Sequence, residues 1–140
     1  LGARIAAAHA DAATLLPGRA SLQIGGDTPQ VDAALLAGCA RLLESADAVL
    51  GPATDGGWWL LGLRDPRVAE LITGVPTSCA DTGAMTLRAL RAAGLRVALA
   101  PQLCDVDTVA DAVEVAAVAP RTAFAAAVAR TLATNGTLGR

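Results

Sequence analysis

Short apolar runs alternate with longer helical segments along this chain, and this alternation restricts the possible folds more than any other feature. Apolar runs of strand length occupy 21–25, 47–51, 58–63 and 95–101. Helical segments are predicted around them at 2–14, 29–45, 64–73 and 120–133. A capping box of Ser78 with Asp81 is expected to open a further helix that runs to about Ala93. Another helix is expected after Thr108, with Thr108 as its N-cap and Asp111 as the acid at the third position. Strands that alternate with helices favour a three-layer α/β/α fold with a mostly parallel central sheet.

Composition narrows the class of protein further. Hydrophobic residues make up 54% of the 140 positions and charged residues 17%, which excludes a disordered chain. The net charge of −2 and the lack of a basic face exclude non-specific nucleic-acid binding. No uncharged apolar stretch is long enough for a transmembrane helix. We expect one domain at 1–133, a flexible tail at 134–140, and a natural chain that starts upstream of Leu1.

The cysteines and the histidine offer no recognisable metal or nucleophile motif. Cys39, Cys79 and Cys104 are widely spaced without a CxxC pair, so we expect free thiols packed in apolar segments and a cytoplasmic location. His9 has no second histidine near it and is interpreted as a helix residue. P-loop, GxGxxG, GxSxG and HExxH patterns do not occur.

Acidic residues follow two of the predicted strands. Asp27 comes after the first strand, and Asp105 and Asp107 come after the fourth. Ligands of such sheets bind at the carboxyl ends of the strands, and carboxylate oxygens are preferred ligands of Mg²⁺ and Mn²⁺. The alternative is structural, with Asp27 helping Thr28 to cap a helix that starts at Pro29 and Asp105 in a turn. Both interpretations stay open on spacing alone.

A third loop, Asp55-Gly56-Gly57, precedes the third strand. Adjacent glycines let the backbone approach a ligand closely, although a tight turn into the strand explains them equally well. Trp58 and Trp59 point to opposite faces of a strand, so one is expected in the core and the other beside a pocket.

The segments IGGDTPQVDAALL, LGPATDGGWWLLGL and LCDVDTVADA, in this order and spacing, resemble those of the DUF2064 proteins. The resemblance extends from the first helix to about residue 118. It implies the Rossmann-like glycosyltransferase-A fold of the nucleotide-diphospho-sugar transferases. It also implies a metal-dependent glycosyltransferase that uses a nucleotide-diphospho-sugar donor with Mg²⁺ or Mn²⁺.

The resemblance assigns roles to individual residues. It implies that Asp27 and Asp107 ligate the metal, with Asp105 as their companion. Asp55 is the expected catalytic residue, either as a hydrogen-bond partner of a sugar hydroxyl or as a base toward the acceptor. Five further residues are expected to bind substrate: Gly25, Gly26, Gly56, Gly57 and Trp58.

The chain departs from the family pattern in three ways. Trp58-Trp59 replaces a Tyr pair, Thr77 stands where the family has Trp, and the family's N-terminal strand and Gly-rich basic loop are absent. We therefore expect an N-terminally incomplete fold whose open sheet edge is closed by a homodimer or leaves the chain marginally stable. Two other functions remain open. One is a nucleotidyltransferase acting on a phosphorylated small molecule, and the other is a non-catalytic protein, either a truncated or degenerate nucleotide-binding domain or an assembly partner.

Overall fold

The computed structural model describes residues 1–137, and residues 138–140 lie outside the described part. Five α-helices are α1 (Gly2–Leu15), α2 (Ala33–Leu42), α3 (Thr82–Ala92), α4 (Val109–Val118) and α5 (Ala123–Thr137). Four strands are β1 (Ser21–Ile24), β2 (Ala48–Pro52), β3 (Trp58–Leu63) and β4 (Val97–Leu99), and a 3-10 helix spans Pro66–Ile72. Helix α5 continues past its predicted end at Ala133 into the segment that was expected to form a tail.

The α/β class is confirmed, but the sheet is not mostly parallel. Its strand order is β1-β3-β2-β4, and β3 pairs antiparallel with both β1 and β2, whereas β4 pairs parallel with β2. Parallel neighbours need a long crossover, but only a short turn separates β2 from β3. These two strands therefore form a hairpin, and this reverses the direction of β3.

Apolar side chains cover both faces of the sheet. On one face Leu50, Leu61 and Leu63 pack with residues of α1, α3 and the 3-10 helix. On the other face Val49 and Leu60 pack against α2. A strand buried on both faces needs an apolar residue at almost every position, and β3 has this composition. The predicted three-layer arrangement is therefore confirmed, with β1 and β4 at the sheet edges.

Of the three helix starts for which an N-terminal cap was predicted, two are wrong. Helix α2 begins at Ala33 rather than Pro29, and its N-cap is Asp32, which accepts a hydrogen bond from the Leu35 N–H at 2.8 Å. Thr28 and Pro29 instead belong to a turn, closed by the Val31 N–H and the Thr28 carbonyl. Asp27 and Gln30 hydrogen-bond the loop after β4, so this turn packs against that loop and does not extend the helix.

The predicted capping box of Ser78 with Asp81 does not form. Asp81 makes no side-chain cap bond, and Ser78 has a φ of 60°, in the left-handed region that is unusual for residues other than glycine. The Thr82 hydroxyl instead bonds the backbone of Cys79. The third prediction is confirmed, because Thr108 and Asp111 form a reciprocal capping box at α4.

Candidate functional site

The three loops meet at one edge of the sheet because three strands share a direction. Strands β1 and β2 are each antiparallel to β3 and therefore parallel to each other, and β4 runs with β2. The carboxyl ends of β1, β2 and β4 thus lie at the same edge. The reversal of β3 does not change this convergence. The Asp55 loop leads from β2 into β3, so β3 starts at the edge where β2 ends.

Three carboxylates form a compact cluster there, which we call the acidic triad: Asp27, Asp105 and Asp107. One oxygen atom of each lies within 4.8 Å of the other two. The ion pairs of the described residues involve other aspartates, Asp47 and Asp65. The triad therefore has no arginine to neutralise it within the described part of the chain.

The surroundings of Asp105 disfavour the ionised form of its carboxyl group. Its pKa is raised, first because the group is partly buried and then because Asp55, Asp107 and Asp27 carry like charge nearby. A bound divalent cation would relieve this repulsion. Oxygen donors are the ligand type that Mg²⁺ and Mn²⁺ prefer, and three carboxylates would leave the other coordination positions to water or phosphate oxygens. The residues present fit such an ion.

A cavity of about 360 Å³ adjoins the triad. Asp27, Asp55 and Asp105 contribute carboxylates to its lining, and Leu1, Ile5, Ile24 and Trp58 contribute apolar surface. Thr77, Ser78, Cys79 and Thr82 complete the lining together with Gln23, Gly25, Ala53, Gly57 and Trp59. The cavity thus combines carboxylates, hydroxyls and an aromatic ring, a set suited to a small polar ligand.

The loop Asp55-Gly56-Gly57 is built as a turn. The Gly57 N–H donates to Asp55 Oδ1 at 2.7 Å, and Gly56 has a φ of 91°. A Cβ on Gly56 would lie only 1.8 Å from the carbonyl oxygen of Ala80, so the chain needs glycine there for packing. Of the two glycines, Gly57 lines the cavity. The tight turn and its packing therefore explain Gly56 without a ligand. The second carboxylate oxygen of Asp55 takes no part in the hydrogen bond from the Gly57 N–H.

Both tryptophans border the cavity, but Trp59 is the one buried in the core. Trp58 is half-buried at the cavity, whereas Trp59 is 1% exposed in the core facing α2. A register shift opposite Pro52 inserts an extra residue in β3, which turns Trp59 toward the same face as Leu60. The Trp59 indole N–H donates to the carbonyl of Pro101 at 2.9 Å. This bond attaches β3 to the segment that leads to Asp105.

Two polar residues in and near the cavity lining were not predicted as site residues. Gln23 lines the cavity, and the buried His9 ring contacts the same strand, β1, with Nδ1 at 2.7 Å from Ser21 Oγ. Burial lowers the pKa of His9, and the Gln23 amide partly opposes that shift. The signal for Gln23 was present in the sequence, because this polar residue stands between the apolar residues Leu22 and Ile24 of a predicted strand.

The thiols are free, but they do not all pack in the core. Cys39 is buried, Cys104 is half-buried, and Cys79 is exposed at the cavity. The expectation that all three serve as core packing is therefore wrong for Cys79, since the turn at Ser78 brings it to the surface. None of the described helices is long and apolar enough to cross a membrane.

Comparison with known families agrees with this geometry. The family model described as "Uncharacterized protein conserved in bacteria (DUF2064)" matches residues 1–79, more than half of the chain. The chain belongs to the DUF2064 family. The matched part of this DUF2064 chain contains the loops of Asp27 and Asp55, and Asp105 and Asp107 lie beyond it.

A solved structure supports the fold of most of the DUF2064 chain. A protein from Desulfovibrio desulfuricans G20, described as a "putative nucleotide-diphospho-sugar transferase", superposes with a TM-score of 0.84 and 29% sequence identity. The superposition covers 95% of the DUF2064 chain and 60% of the other chain. Curated proteins gave no match. The DUF2064 chain thus has the fold of this superfamily and spans three fifths of that relative.

Proposed function

We propose that this chain carries the metal-binding part of a glycosyltransferase that uses a nucleotide-diphospho-sugar donor. The observation that supports it best is the acidic triad, whose oxygen atoms come from two distant loops and meet beside a cavity. The name given to the similar structure from Desulfovibrio desulfuricans supports the substrate class. Fold alone does not fix the reaction, so the proposal rests on the site.

In this proposal Asp27, Asp105 and Asp107 hold Mg²⁺ or Mn²⁺. The bound ion would neutralise charge that develops on the departing diphosphate. Gly25 lets the backbone pass close to the ligand. Gly26 is exposed and lies outside the cavity lining, so it has no role in the proposed site. The half-buried ring of Trp58 offers a flat apolar surface to a sugar.

Asp55 is proposed as the polar group that acts on the sugar or the acceptor. Its Oδ1 is held by the Gly57 N–H, so the carboxylate has a fixed position at the cavity. The other oxygen is then available either to accept a hydrogen bond from a sugar hydroxyl or to take a proton from an acceptor hydroxyl.

The three free thiols fit a reducing compartment, and we therefore place the reaction in the cytoplasm.

Calorimetric titration tests this proposal. Mn²⁺ is added to the chain alone, and UDP-, GDP- and ADP-sugars are then added with and without Mn²⁺. We expect Mn²⁺ to bind and to strengthen the binding of one sugar nucleotide. A preference for nucleoside triphosphates would favour the nucleotidyltransferase alternative instead. Failure of both classes to bind would leave the non-catalytic alternative.

The variant Asp27→Ala is expected to abolish Mn²⁺ binding while the protein stays folded. Asp11→Ala is its matched control, because Asp11 is an exposed carboxylate on α1 that lies outside the cavity lining. Equal Mn²⁺ affinity in Asp27→Ala and the wild type would overturn the site assignment.

A further inference from the structure

Two loops that supply the acidic triad are joined by a pair of hydrogen bonds. The Val106 N–H donates to the carbonyl oxygen of Asp27 at 2.9 Å. The Gln30 side-chain amide donates from Nε2 to the carbonyl oxygen of Cys104, 74 residues away in the sequence. Together the two bonds connect the loop of Asp27 to Cys104 and Val106, the residues on either side of Asp105.

Of these two bonds, only the one from Gln30 depends on a side chain. The orientation of its amide is fixed by chemistry, because the opposite orientation would place Oε1 against the Cys104 carbonyl oxygen. In this orientation Oε1 is buried without a hydrogen-bond partner among the described residues. An unpaired buried oxygen opposes folding, so general stability is a poor explanation for glutamine at this position.

Gln30 lies close to the triad without belonging to it. It follows Asp27 by one short turn, in which the Val31 N–H bonds the Thr28 carbonyl, and it reaches the residue that directly precedes Asp105. A small movement of either loop changes the separation of Asp27 from Asp105 and Asp107. Groups that orient metal ligands in this way commonly influence metal affinity strongly.

We propose that Gln30 is a positioning residue for the acidic triad: its amide fixes the 104–107 loop against the Asp27 loop and so sets the spacing of the metal ligands. This inference rests on the proposed function, since it takes the triad to be a metal site. Gln30 itself touches neither the metal nor the substrate.

Mn²⁺ affinity of the full chain, measured by calorimetry, tests this role with two variants. Gln30→Met keeps the length of the side chain and removes the donor, whereas Gln30→Asn keeps the amide and is too short to reach Cys104. Both are expected to weaken Mn²⁺ binding by roughly ten- to a hundredfold. If one of them fails to fold, the other still provides the measurement.

The control is Gln102→Met. The Gln102 amide also donates to a backbone carbonyl, that of Ala53 at 3.3 Å, but this bond joins the segment after β4 to the Asp55 loop and does not reach the Asp27 loop. We expect wild-type Mn²⁺ affinity for this control and a melting temperature without metal similar to that of Gln30→Met. A purely structural role for Gln30 would instead lower the metal-free melting temperature and leave affinity unchanged in the folded fraction.

The possible failures are distinguishable. If the wild type binds no Mn²⁺, the proposed function fails and this inference fails with it. If the wild type binds Mn²⁺ and both Gln30 variants bind it equally well, only the positioning role is overturned.

Discussion

The carboxylate of Asp27 occupies space that Gly25 leaves free. A Cβ built on Gly25 would lie 2.7 Å from Asp27 Oδ1, closer than real side-chain contacts allow. Gly25 also donates its N–H to the Trp59 carbonyl at 2.8 Å, so its backbone is fixed to β3 and cannot retreat. A side chain at position 25 would therefore have to displace one member of the acidic triad.

Replacing Gly25 by alanine should weaken Mn²⁺ binding by roughly tenfold, because the new methyl group displaces the Asp27 carboxylate. Calorimetric titration measures the effect. Gly26→Ala is the matched control, since a Cβ there meets nothing within 4 Å. Similar losses in the two variants would show that the loop tolerates no side chain at all and would contradict this explanation.

Asp107 and Asp111 are expected to separate metal binding from stability. Asp107→Ala should lower Mn²⁺ affinity by more than about tenfold, because it removes a proposed ligand. Asp111→Ala should mainly lower the melting temperature, since Asp111 accepts the Thr108 N–H at 2.7 Å in the capping box. Titration and thermal unfolding of both variants check this. The prediction is wrong if Asp111→Ala loses more Mn²⁺ affinity than Asp107→Ala.

Trp59→Phe should destabilise the protein by about 1–3 kcal/mol, because it removes buried ring volume and leaves the Pro101 carbonyl without its indole donor. Chemical denaturation measures this free energy of unfolding. Trp58→Phe is the comparison, since Trp58 is half-buried at the cavity and should affect stability less. A larger loss in Trp58→Phe would contradict the division of the two rings between core and pocket.

Asp47 is expected to make the free energy of unfolding depend on pH in the acid range. Its pKa is lowered, first by hydrogen bonds from the Arg96 side chain and backbone and then by the charges of Arg96 and Arg64. The folded state thus favours the carboxylate, so this contribution is complete above the ordinary Asp pKa. It is lost as the pH falls through the lowered value.

Asp47→Asn should therefore lower the free energy of unfolding at neutral pH and bring it closer to the wild type in acid. Denaturation at a series of pH values measures the difference. Asp65→Asn serves for comparison, because Asp65 pairs with Arg67 only two residues along the chain. Such a local pair can persist in the unfolded chain, so we expect a smaller pH-dependent difference. A pH-independent effect of Asp47→Asn would refute the explanation.

Much of this architecture could be predicted from the sequence because local patterns specify it. Apolar runs located the four strands, β3 at its observed bounds, and Thr108 with Asp111 marked the start of α4. The acids that follow β1 and β4 were recognisable as a metal-site candidate. The loops after β1, β2 and β4 meet at one sheet edge because these three strands run in the same direction.

Tertiary structure decided the rest, since contacts between distant segments overrode local preferences. Thr28 and Pro29 have the residue types of a helix start, yet their turn contacts the loop after β4, and α2 begins at Ala33. Gln30 has no motif that marks it, and its partner lies 74 residues away. The sequence by itself determined which side chains can ligate a metal. The packing of two loops against each other decided that three of them lie within 4.8 Å, because that distance depends on bonds no local pattern encodes.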